Sequence, residues 1–161
     1  MLVHNGIIEN YMALKEELVK VGYRFISQTD SEVIVNLIEY YHTQYVEGSE
    51  GFEIASGEDP VEKAIEKAAG RLEGTYGLTI LCLEHADQIY VIRNGSPLIY
   101  AENDEMAMFS SEPNGLCSLF SNYYVLDPKE LFVIRRKGLV HTTRFQSKVP
   151  KKLQEERDLA L

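Results

Sequence analysis

The apolar residues of this chain follow two periods, and the change between them falls near Gly74. Before it, apolar positions recur every three or four residues, the spacing of a helix with one buried face. After it they alternate or run together in short stretches, the habit of strands. The first helical stretch, NYMALKEELVKV (residues 10–21), places Met12, Leu14, Leu18 and Val21 near one side, and Gly22 follows where a helix C-terminus favours glycine. Residues 23–27 (YRFIS) read as a short strand or extended link. Thr29-Asp-Ser-Glu32 then predicts a capping box and a second helix, with Val33, Ile34, Leu37, Ile38 and Tyr41 as its buried stripe.

Residues 46–58 (VEGSEGFEIASGE) lack a period and read as an acidic loop. A capping Asp59, Pro60 at the first helical position and Glu62 open a third helix, whose core face is Val61, Ala64, Ile65, Ala68 and Leu72. Strands are predicted over 76–83, 88–93, 97–101 and 106–110, with a late hairpin, 131–136 and 139–145, turning at Lys137-Gly138. The tail from Pro150 reads as a charged helix or a frayed linker. Helices first and strands afterwards argue for an α+β layered domain with antiparallel sheets, not for alternating βαβ units.

In front of all this stands VHNGIIEN (residues 3–10), a short strand carrying an Asn-Gly step. Asparagine beside glycine can aim a side-chain amide and a backbone N–H at one point, which is what an oxyanion hole requires. The dipeptide is also a common tight turn, and on Asn5 and Gly6 alone the turn is the stronger reading. Asp30 could pair with the ammonium group of a small substrate. In the first turn of a helix it could equally do no more than complement the positive dipole end, and on sequence alone that reading is the stronger.

Composition narrows the chemistry. Sixteen Lys and Arg against 25 Asp and Glu give a formal charge of −9, which disfavours nucleic acid as a partner. No run approaches the roughly 20 apolar residues of a membrane span, and glutamates interrupt the first 20 positions, so a membrane role and a secretory leader are not expected. A cytoplasmic location is expected instead. Cys82 and Cys117 lack metal-ligand spacing and read as buried packing thiols. His4, His42, His85 and His141 show no ligand pattern, and His42 and His85 read as solvated. Gly95-Ser96-Pro97 reads as a turn, not as a phosphate loop.

Four stretches in fixed order, VHNGIIENYMALKEEL, TDSEVIVNLI, RLEGTYGLTIL and RNGSPLIYA, resemble the glutamine amidotransferase domain of the glutamine–fructose-6-phosphate aminotransferase family. The match covers residues 3–101 and weakens between about 102 and 146. The resemblance implies a partial four-layer αββα sandwich of N-terminal-nucleophile hydrolase type over 1–146, with 147–161 as a charged tail or linker. It also implies a glutaminase that releases ammonia for glucosamine 6-phosphate synthesis, with glutamine as substrate and neither cofactor nor metal. By motif, Asn5 and Gly6 match the family's oxyanion donors, and Asp30 matches the carboxylate that holds the substrate α-ammonium.

Family members begin Cys-Gly-Ile and carry an arginine-containing segment before the stretch that opens this chain. The expectation is therefore an amino-terminally truncated domain without its nucleophile, inactive alone. Its uncovered strand edges would favour self-association or pairing with the missing segment. Two other functions fit the same fold: a non-catalytic binding or assembly module, and the amide-transfer domain of another glutamine-dependent synthase.

Overall fold

In a computed structural model of the chain, residues 1–116, 118–135, 138–141 and 150–152 are described. The expectation for Cys117, the Lys137 half of the hairpin turn and most of the tail lie outside these residues.

The helices form where the period predicts them. Helix α1 (Tyr11–Lys20) packs on α2 (Asp30–Glu47) and buries Leu14 and Leu18, one turn apart, in the shared core. Met12 and Val21, expected on the same stripe, are 62% and 56% exposed. Met12 sits about 200° around the helix from Leu14, and Val21 lies at the C-cap beyond the last turn.

Thr29 caps α2 by accepting the Glu32 N–H at 3.4 Å. The returning half of the predicted capping box goes elsewhere. The Glu32 carboxylate accepts Ile26 N–H (2.9 Å), Ser27 N–H (2.7 Å) and the Ser27 hydroxyl (2.5 Å), while Thr29 N–H donates to Ser27 Oγ. Residues 23–27 are thus a link folded under the helix start, not a strand. The Ser27 hydroxyl, then the Ile26 amide, hold the Glu32 carboxyl below the usual carboxylate range. In α2, Val33, Ile34, Leu37 and Tyr41 are buried.

Asp59 caps α3 (Pro60–Arg71) through Val61 N–H at 2.8 Å, and the predicted face Val61, Ala64, Ile65, Ala68 and Leu72 is buried together with Ala69.

The first sheet is antiparallel in the order β1 (Leu2–Ile8), β2 (Gly74–Ile80), β3 (Gln88–Asn94), β7 (Phe132–Arg135), β8 (Gly138–His141). The second has the order β5 (Ala107–Ser110), β4 (Ile99–Glu102), β6 (Asn122–Val125), β9 (Lys151–Lys152). Strand β6 and a 3-10 turn at Pro113–Leu116 were not predicted. Lys151 and Lys152 at the head of the tail pair with Tyr123 and Asn122.

Strand alternation builds two cores on the first sheet. Tyr76, Leu78, Ile80, Tyr90, Ile92 and Val133 face the helices, whereas Val91, Phe132 and Ile134 face Tyr100 and Leu126 of the second-sheet side. A third cluster, Ile99, Ala101, Leu116, Phe120 and Tyr123, includes the 3-10 turn. Helices, first sheet and second sheet are therefore stacked in that order, an α+β arrangement with antiparallel sheets. The second sheet packs over β3 and β7. On β1, Val3 and Ile7 remain 63% and 69% exposed.

Candidate active site

The end rungs of the β1–β2 ladder fix its phase. Met1 and Leu81 exchange hydrogen bonds in both directions (2.8 and 2.9 Å), and at the far end Glu9 N–H donates to Glu73 O at 2.9 Å. Bonded and non-bonded rungs alternate in an antiparallel pair. With register unbroken from Leu2–Ile80 to Ile8–Gly74, odd-numbered residues of β1 turn their amides toward β2 and even-numbered residues turn theirs outward. Ile8 shows the outward direction directly, because its N–H donates to Asp30 Oδ2 at 3.1 Å. Gly6 N–H points out of the same edge, where no strand pairs with β1 among the described residues.

Asn5 and Gly6 are thus mid-strand residues, opposite Gly77 and Tyr76, and the tight-turn reading fails. Gly6 has φ +130°, and a Cβ there would stand 2.0 Å from Thr75 O and 2.8 Å from Tyr76 Cα. Only glycine fits this approach of two backbones. By alternation the Asn5 side chain projects from the face of β1 opposite His4, the face that carries exposed Val3 and Ile7.

Asp30, the first residue of α2, reaches across to β1. Its Oδ2 takes the Ile8 amide, and its Oδ1 lies 3.4 Å from His4 Nδ1, which also stands 3.1 Å from Ser31 Oγ. The carboxylate therefore contacts the residue before Asn5 and the residue two after Gly6, and it is 23% exposed. An ionised carboxylate has about four lone-pair sites, so the Ile8 amide on Oδ2 and the His4 ring edge near Oδ1 leave room for an ammonium.

Sequence reasoning missed two residues of this frame. The His4 imidazole, set aside for want of ligand spacing, is only 4% exposed and lies beside Asp30. Its position next to Asn5 on a predicted strand was the available signal. Asn10 bridges the junction of α3 and β2, donating to Arg71 O at 2.8 Å and accepting Glu73 N–H at 3.1 Å, which anchors the end of β1.

The remaining candidates stay apart from this edge. Cys82 is a free thiol, partly buried against the helical core, and lies past the Met1–Leu81 rung. That rung is roughly 14 Å from Asn5 at about 3.4 Å per residue. His42 and His85 are not simply solvated: His85 Nε2 lies 3.0 Å from Asp59 Oδ2 and His42 Nε2 lies 3.4 Å from Glu84 Oε2. Among the described residues no group of three or more His, Cys, Asp and Glu side chains could hold a metal, and no helix is long and apolar enough to cross a membrane.

An outward backbone donor with an anchored carboxylate along the same strand edge, and an exposed carboxamide one residue earlier on the strand's open face, make a surface that can take up a small zwitterion and polarise an acyl oxygen. Comparison with known proteins bears on which one. Residues 1–118 match a family model described as a glutamine amidotransferase domain. Glutamine–fructose-6-phosphate aminotransferase of Caldanaerobacter subterraneus is 35% identical over 154 residues, 96% of this chain and 23% of that protein. The enzyme of the same name from Thermococcus kodakarensis is 39% identical over 143 residues, 84% of this chain and 22% of that protein.

The chain spans under a quarter of the length of these relatives. In fold it resembles the Bacillus subtilis glutamine phosphoribosylpyrophosphate amidotransferase complexed with ADP and GMP, with a TM-score of 0.66 at 20% identity over 94% of this chain and 28% of that one. A predicted glutamine amidotransferase from Pseudomonas aeruginosa gives a TM-score of 0.54 at 11% identity, over 88% of this chain and 59% of the other.

Proposed function

The chain belongs to the glutamine amidotransferase family, and from that premise we propose that it forms the glutamine-binding and oxyanion-stabilising part of an amide-transfer site. The ammonia released there would serve glucosamine 6-phosphate synthesis, as the resemblance to the glutamine–fructose-6-phosphate aminotransferase family implies. The observation that carries this reading is the shared edge of β1: Gly6 N–H leaves the sheet on the side where Asp30 already holds the Ile8 amide.

In this reading Asp30 pairs with the α-ammonium of glutamine. A thiolate attacks the side-chain amide carbon, and the oxygen gains negative charge as the tetrahedral intermediate forms. Gly6 N–H and the Asn5 carboxamide donate to that oxygen. Ammonia leaves with a proton, the thioester is hydrolysed to glutamate, and the thiol is regenerated. The thiol belongs to an amino-terminal cysteine whose own α-amine is the base. Cys82 and Cys117 follow other residues in the chain, so their nitrogens are acylated and cannot serve.

The 161-residue polypeptide alone should therefore release no ammonia from glutamine. We assign residues 1–146 to the amide-transfer unit, 147–161 to a tail that is tied to the second sheet at Lys151 and Lys152, and the protein to the cytoplasm. The bare apolar face at Val3 and Ile7 is the surface that a complementing segment or a second copy would cover.

The test is ammonia release by the chain alone and by the chain joined behind a family-type segment that begins Cys-Gly-Ile. The fusion should be active and the chain alone silent. In the fusion, Asn5→Ala should lower kcat by roughly 10²–10³, and Asp30→Asn should act mainly on KM. Release by the chain alone that is lost with Asn5→Ala would overturn the claim of inactivity. A fusion indifferent to both substitutions would overturn the site.

A further inference from the structure

The His4 imidazole is 96% buried, and its two nitrogens stand in different situations. Nδ1 faces Asp30 Oδ1 at 3.4 Å and Ser31 Oγ at 3.1 Å, whereas Nε2 is buried without a hydrogen-bond partner among the described residues. An ionised carboxylate only accepts, so contact with it places the proton on Nδ1. The alternative tautomer would turn an Nδ1 lone pair toward a carboxylate and leave a buried Nε2–H donor unmet, which is unfavourable at both ends. A bare Nε2 acceptor is the lesser cost.

We propose that His4 is a positioning residue for Asp30: its Nδ1–H, shared with Ser31 Oγ, holds the Oδ1 side of the carboxylate while Ile8 N–H holds Oδ2, so that the remaining lone pairs meet the substrate ammonium beside Gly6. This rests on the reading of Asp30 given above and adds the group that orients it. The logic is geometric. Asp30 rides on α2 and Gly6 on β1, so a carboxylate gripped at residues 4 and 8 is indexed to the strand that carries the oxyanion donor. Without His4, one oxygen is released and the carboxylate can swing about its bond to Ile8.

The primary experiment uses the 161-residue chain and nitrogen-detected NMR of its histidine rings. His4 should carry its proton on Nδ1. Asp30→Asn should move the His4 ring signals and leave those of His85, whose partner is Asp59, unchanged. The Ile8 amide signal should shift in His4→Leu and return toward its wild-type position in His4→Asn, which restores a donor near the place of Nδ1. An Nε2-protonated ring, or His4 signals indifferent to Asp30→Asn, would overturn the proposal. The Asp30→Asn readout needs no change at His4, so a His4→Leu chain that fails to fold does not shield it.

In the ammonia-releasing fusion, His4→Leu should raise the KM for glutamine roughly tenfold, the scale of one lost hydrogen bond to a charged group. Its kcat should stay within about twofold, and His4→Asn should recover most of the loss. A fall in kcat with KM unchanged would also overturn positioning. If Asp30→Asn leaves the fusion unaffected, the assignment of Asp30 fails. If Asp30→Asn acts and His4→Leu does not, only the present inference fails.

Discussion

Replacing Gly6 with alanine tests whether β1 and β2 truly close on each other at the proposed oxyanion donor. The added Cβ would stand 2.0 Å from Thr75 O, 2.8 Å from Tyr76 Cα and 2.9 Å from Thr75 C. All three are backbone atoms, so no flexible side chain can yield, and relief requires β1 to move off a seven-rung register. Holding a non-glycine residue at φ +130° costs about 1–3 kcal/mol, and forcing an extra methyl into a closed contact about the same again. The expected loss is about 2–6 kcal/mol, which at its centre is about 8–16 °C in Tm for a chain of this size at roughly 2–4 °C per kcal/mol.

Two controls separate the terms. Gly22→Ala meets the strained backbone (φ +101°) with nothing within 4 Å, and should cost only about 1–2 kcal/mol. Gly77→Ala, opposite Asn5 in the same ladder, has neither strain nor neighbour and should be neutral or slightly stabilising. Urea and thermal unfolding of the three variants supply the comparison. If Gly6→Ala and Gly22→Ala cost the same within about 0.5 kcal/mol, the close approach is absent and the reasoning about this edge fails.

Tyr90→Phe should leave stability unchanged or raise it by about 1 kcal/mol, since the hydroxyl it removes is buried without a hydrogen-bond partner among the described residues; a loss above about 1 kcal/mol in urea unfolding would contradict this. Asp59→Ala should cost about 1 kcal/mol through the lost α3 cap, and Asp59→Asn, which keeps an acceptor, well under half of that in the same assay. The pH dependence of the wild-type urea midpoint should differ from that of Glu32→Gln on the acid side. The Glu32 carboxyl is held below its ordinary range in the folded chain, so its contribution is complete above that range and is lost as pH falls through the folded value. The substitution should flatten this acid limb, and parallel profiles from pH 7 to 2 would contradict the assignment.

Much of the scaffold is legible in the sequence because its signals are local. The α3 face and its Asp59 cap need only residues within a few positions of each other, and Thr29 marks the start of α2 for the same reason. The capping-box arm of Glu32 was misplaced because its partners come from how the 23–27 link folds back, which no spacing rule encodes. Strand β6 went unseen because four residues, Asn122–Val125, carry too short an alternation to stand out among turn-forming neighbours. The site was the least legible part. Its key contact joins His4 to Asp30 and Ser31, 26 and 27 residues away, and the outward direction of Gly6 N–H follows only from the rungs at the two ends of β1.

A strand selected for stability alone would not contain Gly6 as it stands. Glycine in a strand interior loses backbone entropy and packs nothing, and φ +130° adds strain that any extended residue would avoid. The neighbouring rungs show that the ladder itself does not demand it, since Gly77 has room for a side chain one register position away. What the glycine does provide is a backbone pressed against Thr75 and Tyr76 in a conformation other residues avoid, with its N–H left on the outer edge two residues from the amide that Asp30 holds. The same economy explains Asp30. Thr29 already caps α2, so the carboxylate is free of its own helix terminus and reaches another element instead. The dipole reading of Asp30 and the substrate reading therefore describe one placement. The helix end favours the negative charge, and β1 sets where that charge is presented.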